Sequence, residues 1–272
     1  MARPRKVRAT PHALPIPAKV VRMDPPNLGG IHAQAICVCD DSASYVMKDG
    51  THDPRIPHAE WFCTHLADRV GIPSIPCRIL ELPPDANGVR KKVFGSRWEA
   101  GEIPISPAPW WLRVEQKTIP VSHVAPVLSR IYAFDHFVHN FDRHLKNYFA
   151  QKSPSGVSIF SVDYSKAWVC NKFPLPPMPF DLGDSHHRTV FSQRELTRRW
   201  GPWMINNEIV SLLSGIGKIT KDDVKYIMQT EPDEWLSKRQ LSAIVKWWGS
   251  AEFKSRIAEI VAGITNGTTS YV

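Results

Sequence analysis

The spacing of hydrophobic positions switches repeatedly along this chain, and the switches mark its elements. Residues 33–39 (Ala-Gln-Ala-Ile-Cys-Val-Cys) and 45–48 (Tyr-Val-Met-Lys) are short apolar runs joined by the polar stretch Asp40-Asp41-Ser42-Ala43-Ser44. Two such runs about a polar joint predict a β-hairpin, which returns Lys48 toward the end where Gly29-Gly30 precede the first strand. The period then lengthens: Ala59, Phe62, Cys63, Leu66 and Val70 recur at helical spacing, with Pro57 suited to the first turn and Gly71 to the stop. Residues 77–82 and 91–96 predict a second hairpin around Pro83–Gly88. A helix near 122–138 follows, with the stripe Val124, Val127, Leu128, Ile131, Phe134 and Val138. A third hairpin is predicted from 148–151 and 157–162; its turn, centred near Pro154, sets Asn147 and Asp163 together at the open end. Further helices are predicted near 192–200, 206–214, 220–229 and 232–263, the last breaking near Gly249.

Proline marks the connections. Residues 1–25 carry Pro at 4, 11, 15, 17 and 25 and are expected to be extended or disordered. Glu102 to Trp111, with three prolines, predicts a connector, and residues 171–181 a rigid irregular loop. The expected division is an arm over 1–25, a β-rich unit over 26–105 and a helical unit over 106–272.

Charge changes this picture little. The net charge is +8, but residues 1–23 hold six basic residues and no acid, leaving 28 basic against 26 acidic residues in the remainder. The basicity belongs to the arm, which reads as solvated, with nucleic acid or an acidic protein as the partner class it would suit. No apolar run approaches the roughly 18 residues that cross a bilayer, and no apolar stretch follows the basic N-terminus as in a secretory signal. The five cysteines are scattered, without a C-x-x-C pair, and read as reduced core thiols of a cytoplasmic protein.

Candidate chemistry centres on Asn140-Phe141-Asp142-Arg143-His144-Leu145-Lys146-Asn147. An Asp and an Asn five residues apart in a polar loop suit phosphoryl transfer: the carboxylate receives a hydroxyl proton and the amide oxygen holds Mg²⁺. Lys48, at a strand end, can reach nucleotide phosphates, and Glu60 on the next helix can orient it. Gly29-Gly30 can let backbone amides approach phosphate. Asp163 can share the metal with Asn147. Arg143 can pair with a carboxylate or contact phosphate. Each feature alone has an ordinary structural explanation; together they stand in kinase order. A separate metallohydrolase reading would use His136, His139, His144, Asp135 and Asp142.

With these residues the chain resembles the HipA-like serine/threonine kinases and, more distantly, the phosphatidylinositol kinases. The resemblance rests on Leu28-Gly29-Gly30, Tyr45-Val46-Met47-Lys48, Glu60, the Asn140–Asn147 string and Asp163-Tyr164-Ser165-Lys166-Ala167, and it spans roughly 27 to 263. It implies an α+β, bilobed protein-kinase-like fold, a small β-rich N-lobe over a larger helical C-lobe, with ATP and Mg²⁺ between them. It implies Lys48 on the phosphates, Glu60 orienting it, Asp142 as base, Asn147 and Asp163 on the metal, and Phe94 to Trp98 as the hinge beside adenine. The implied activity is transfer of the ATP γ-phosphate to a protein Ser/Thr hydroxyl, with an antitoxin or regulatory protein as a partner. Alternatives within the fold are a lipid or small-molecule kinase and a non-catalytic ATP-binding module. HipA-like toxins carry a larger N-terminal portion and tend to have a phosphorylatable Ser near the Gly-rich loop. Asn27 to Ala35 holds no Ser or Thr, so self-inactivation there is not expected.

Overall fold

The computed structural model describes residues 15–25, 35–98, 110–153, 156–170, 173–175 and 188–266. Its first part is a closed five-stranded barrel, ordered β1-β2-β3-β5-β4 (β1 Ala18–Asp24, β2 Ala35–Cys39, β3 Ser44–Lys48, β4 Cys77–Glu81, β5 Lys92–Trp98). The pairs are antiparallel except β1 with β4, which is parallel. Closure leaves each strand paired on both sides. Alternate residues Ala35, Cys37 and Cys39 of β2 point inward with Val20, Tyr45, Met47, Leu80 and Val93, forming a small barrel core. β1 corrects the expectation of an arm ending at residue 25. The prolines at 15 and 17 precede the strand, and Ala18 and Val20 find a buried face on β4 and β2.

Helix α1 (Ile56–Arg69) leaves the barrel after β3. Its expected stripe is buried: Ala59, Phe62, Cys63 and Leu66 are inaccessible to solvent. Each large side chain so buried contributes about 1.5–3 kcal/mol. Gly71 ends it at φ +73, with Gly71 N–H on the Asp68 carbonyl and Ile72 N–H on that of Ala67. This paired closure needs a left-handed residue, which glycine adopts without strain.

Then come α2 (Trp110–Glu115), α3 (Val121–Phe137), the hairpin β6 (Tyr148–Ser153) and β7 (Gly156–Ser161), and α4 (Arg188–Trp200), α5 (Asn206–Lys218), α6 (Lys221–Gln229), α7 (Lys238–Trp247) and α8 (Ala251–Thr265). The short helix α2 has no counterpart in the sequence reading, where nearby prolines masked it. α3 packs against β7, α4, α5 and α8, and its apolar residues are buried on nearly all sides, as suits a central helix. The hairpin register sets Tyr148 opposite Ser161, as the turn at Pro154 predicts. Gly249, at φ +74, separates α7 from α8. The larger apolar core joins α1 and β5 to these helices, with Phe62 stacked on Trp168 at 4.8 Å between ring centroids. All five cysteines are unbonded thiols. Among the described residues no helix is long and apolar enough to cross a membrane.

Candidate active site

Lys48 ends β3, where the strand's alternation turns its side chain between α1 and the end of β7. Only 6% of the residue is exposed. Its Nζ donates to Glu60 Oε1 at 2.5 Å and to Asp163 Oδ1 at 2.9 Å. The Tyr164 N–H also donates to Glu60 Oε1, at 2.9 Å, so the helix carboxylate is held from both sides. Burial pushes the Glu60 carboxyl up to about 7, against the pull of Lys48. For Asp163 burial acts upward too, but the Lys48 ammonium and the Ser165 hydrogen bonds outweigh it and hold the carboxyl well below the usual range. Burial would lower Lys48, and the two carboxylates raise it instead. The cluster is a cation shared by a helix acid and a strand-end acid.

Asp163 takes a left-handed backbone, φ +66, one residue beyond the hydrogen bond from Val162 N–H to the Asn147 carbonyl. Its Oδ1 accepts from Lys48, from the Ser165 hydroxyl at 2.5 Å and from the Ser165 N–H at 3.2 Å. Oδ1 is thereby loaded, while the side chain is 30% exposed. Asn147 is buried, and its Nδ2 donates to the Asp142 carbonyl at 3.1 Å, which assigns its Oδ1 as the acceptor end. An amide oxygen and a carboxylate oxygen at the mouth of one hairpin are hard donors of the kind Mg²⁺ takes.

The loop between α3 and β6 is built over a buried arginine. Arg143, 1% exposed, forms a two-pronged ion pair with Asp135 of α3, Nε to Oδ2 at 2.8 Å and Nη2 to Oδ1 at 2.9 Å. Its Nη1 donates to the carbonyls of Asn147 and Val162, and its guanidinium lies over the rings of Tyr148 and Tyr164. Asn140 Nδ2 adds a bond to Asp135 at 2.9 Å. Above this platform Asp142 remains 24% exposed at its side chain, with Oδ1 3.0 Å from Arg188 Nη1.

Residues 26–167, just over half of the chain, match the family model described as HipA-like kinase. The chain belongs to the HipA-like kinases. No curated protein sequence matches it. Among solved structures it is similar to the proinflammatory kinase CtkA of Helicobacter pylori, with a TM-score of 0.55 and 11% identity over 94% of this chain and 99% of that one. It is also similar to HipA of Shewanella oneidensis, solved with HipB and its operator DNA, with a TM-score of 0.46 and 14% identity over 95% of this chain and 67% of that one. The first likeness extends the kinase-like fold over nearly the whole of this HipA-like kinase, beyond the matched region.

The fold thus gathers Lys48, Glu60 and Asp163 into contact, and sets Asp142 and Asn147 on one loop beside them. Gly29 and Gly30 lie outside the described residues. Of the two expectations for Arg143, the structure shows the carboxylate pairing: it is sealed beneath the loop on Asp135 and positions others. Phe94 lies within the strand expected over 91–96, in β5 opposite Lys48, with its ring buried in the main core. Among the described residues no group of three or more His, Cys, Asp and Glu could hold a metal ion, and Asp135 is already taken by Arg143, so the His-rich metallohydrolase reading has no ligand set there. Sequence reasoning missed Ser165, although it stands in the quoted Asp163–Ala167 string. It also missed Asp135's pairing with Arg143, and Arg188, for which no spacing signal exists.

Proposed function

We propose that this HipA-like kinase is a bilobed, ATP- and Mg²⁺-dependent phosphotransferase acting on a Ser/Thr hydroxyl of a protein. The observation that carries this reading is Lys48 of the barrel held at once by Glu60 of α1 and by Asp163 just beyond the hairpin. An ammonium fixed there meets nucleotide phosphates without having to be oriented at the moment of reaction. Asp142 is exposed enough to meet an acceptor and would receive the hydroxyl proton. Asn147 Oδ1 and Asp163 would hold the magnesium ion, which when bound supplies charge neutralisation on the phosphates. Asn147, anchored to the Asp142 carbonyl, couples base and metal ligand through one loop. Arg143 keeps that loop's shape from below. A regulatory protein partner belongs to the same reading.

The test is transfer from γ-labelled ATP to the purified chain or to dephosphorylated casein, with and without Mg²⁺. Asp142→Ala is expected to abolish label transfer while leaving nucleotide binding intact. Equal labelling by Asp142→Ala and wild type overturns the assignment of the base.

A further inference from the structure

Arg188 meets Asp142 by construction. The first turn of α4 is fastened to the loop by Thr189 N–H on the Phe141 carbonyl at 3.3 Å, and by Thr189 Oγ1 on the Asn140 carbonyl. Arg143 N–H donates to that same Oγ1 at 3.1 Å, and Ser192 Oγ to the Arg143 carbonyl at 3.0 Å. These bonds set the register that brings Arg188 Nη1 to 3.0 Å from Asp142 Oδ1. The Arg188 side chain is nevertheless 63% exposed. So exposed a pair adds little to folding, yet the helix end that carries it is bolted down from buried Thr189 and Ser192. A guanidinium carries five N–H donors in a planar fork, more than the contact of Nη1 with Asp142 uses.

The proposed reaction needs a cation at this place. The acceptor oxygen forms a bond to the γ-phosphorus, and the bond from that phosphorus to the β–γ bridging oxygen breaks. ADP leaves with that electron pair, and the hydroxyl proton goes to Asp142. Charge spreads over the phosphoryl oxygens in transit. Lys48 is committed to the Glu60–Asp163 side, whereas Arg188 adjoins the base. We infer that Arg188 is a catalytic residue of this site: Nη1 fixes Asp142 Oδ1, and the remaining N–H donors bind an oxygen of the phosphoryl group as it moves to the acceptor. The inference rests on the phosphotransfer reading above.

The experiment compares wild type, Arg188→Ala and Arg188→Lys as full chains, with γ-labelled ATP, Mg²⁺ and dephosphorylated casein. Arg188→Ala is expected to lower kcat about a hundredfold with an unchanged KM for ATP and an unchanged thermal midpoint. It should bind ADP with aluminium fluoride more weakly than wild type does, while binding a non-hydrolysable ATP analogue equally well, because the contact is made only in the transition state. Arg188→Lys should fall between, and added guanidinium should restore part of the lost rate. Unchanged turnover, faster turnover (a clamp on the base), or a rise confined to the KM for casein (an acidic-acceptor site) each overturns the assignment. No transfer by wild type removes the phosphotransfer reading and this inference together, whereas normal transfer by Arg188→Ala removes this inference alone.

Discussion

Lys48 lies between two acids that burial pushes the same way but whose net shifts are opposite, and pH separates them. Glu60 has its folded value raised to about 7 by burial. A raised carboxyl binds its proton more tightly folded than unfolded, so its contribution falls as pH rises from the unfolded value of about 4.3 toward 7. Glu60→Gln lacks that slope. The stability of wild type minus that of Glu60→Gln is therefore expected to shrink as pH climbs through this window, measured by urea unfolding at several pH values. A difference that grows with pH contradicts the burial of an acid there. Asp163 has the other sign: its value is lowered by Lys48 and Ser165, so its contribution is present above the unfolded value of about 3.9 and is lost as pH falls below it. The Lys48–Glu60 meeting was legible in the sequence, because a strand-end Lys followed by a helix acid needs only one hairpin and one helix to meet. Arg188 was not legible, because its approach to Asp142 depends on how α4 docks, and docking leaves no periodic trace.

At the scale of elements, β4 and β5 are joined by an unusually close approach. A Cβ added at Gly95 would stand 2.6 Å from Leu80 Cδ1 and 2.7 Å from Leu80 Cγ. Leu80 is fully buried in the barrel, so Gly95→Ala is expected to cost about 1–3 kcal/mol by overpacking. Leu80→Ala alone is expected to cost about 2–5 kcal/mol through its cavity. The double variant should lose less than the two separate costs combined, since the new methyl enters the vacated space; strict additivity in denaturant unfolding argues against the clash. Most elements here were readable because their punctuation is local: Pro57 and Gly71 bracket α1, the polar residues Asp40 to Ala43 join β2 to β3, and Gly249 divides α7 from α8. β1 was not readable, since only Ala18 and Val20 are buried and the run Val21, Arg22 and Met23 after them is exposed, which breaks the alternation. Phe94 was legible as a strand residue of the 91–96 run, but its pairing with Lys48 was not, because contacts between strands of different hairpins leave no local trace.

In the whole molecule, the barrel side and the helical side are stitched through α1. His58 Nδ1 lies 2.8 Å from both Glu231 carboxylate oxygens, both side chains being buried, and Trp61 Nε1 donates to Thr230 Oγ1 at 3.1 Å. Trp235 Nε1 reaches back to the Lys92 carbonyl of β5 at 3.1 Å. A fragment of residues 15–105 would lack Tyr164, Trp168 and Glu231 and leave the Phe62 face of α1 bare. It is expected to show no cooperative thermal transition by circular dichroism; a sharp two-state transition would show that the barrel and α1 suffice for a fold. The same stitching reaches the loop that carries Asp142. Surface loops ordinarily exchange their amide hydrogens by small local openings. Here the Arg143 N–H is bonded to Thr189 of α4, and its guanidinium holds Asp135 of α3 together with the carbonyls of Asn147 and Val162. Opening this loop by itself would strand a buried charge, so the amides of Arg143, Asn147 and Val162 are expected to exchange with solvent only as fast as the entire chain unfolds.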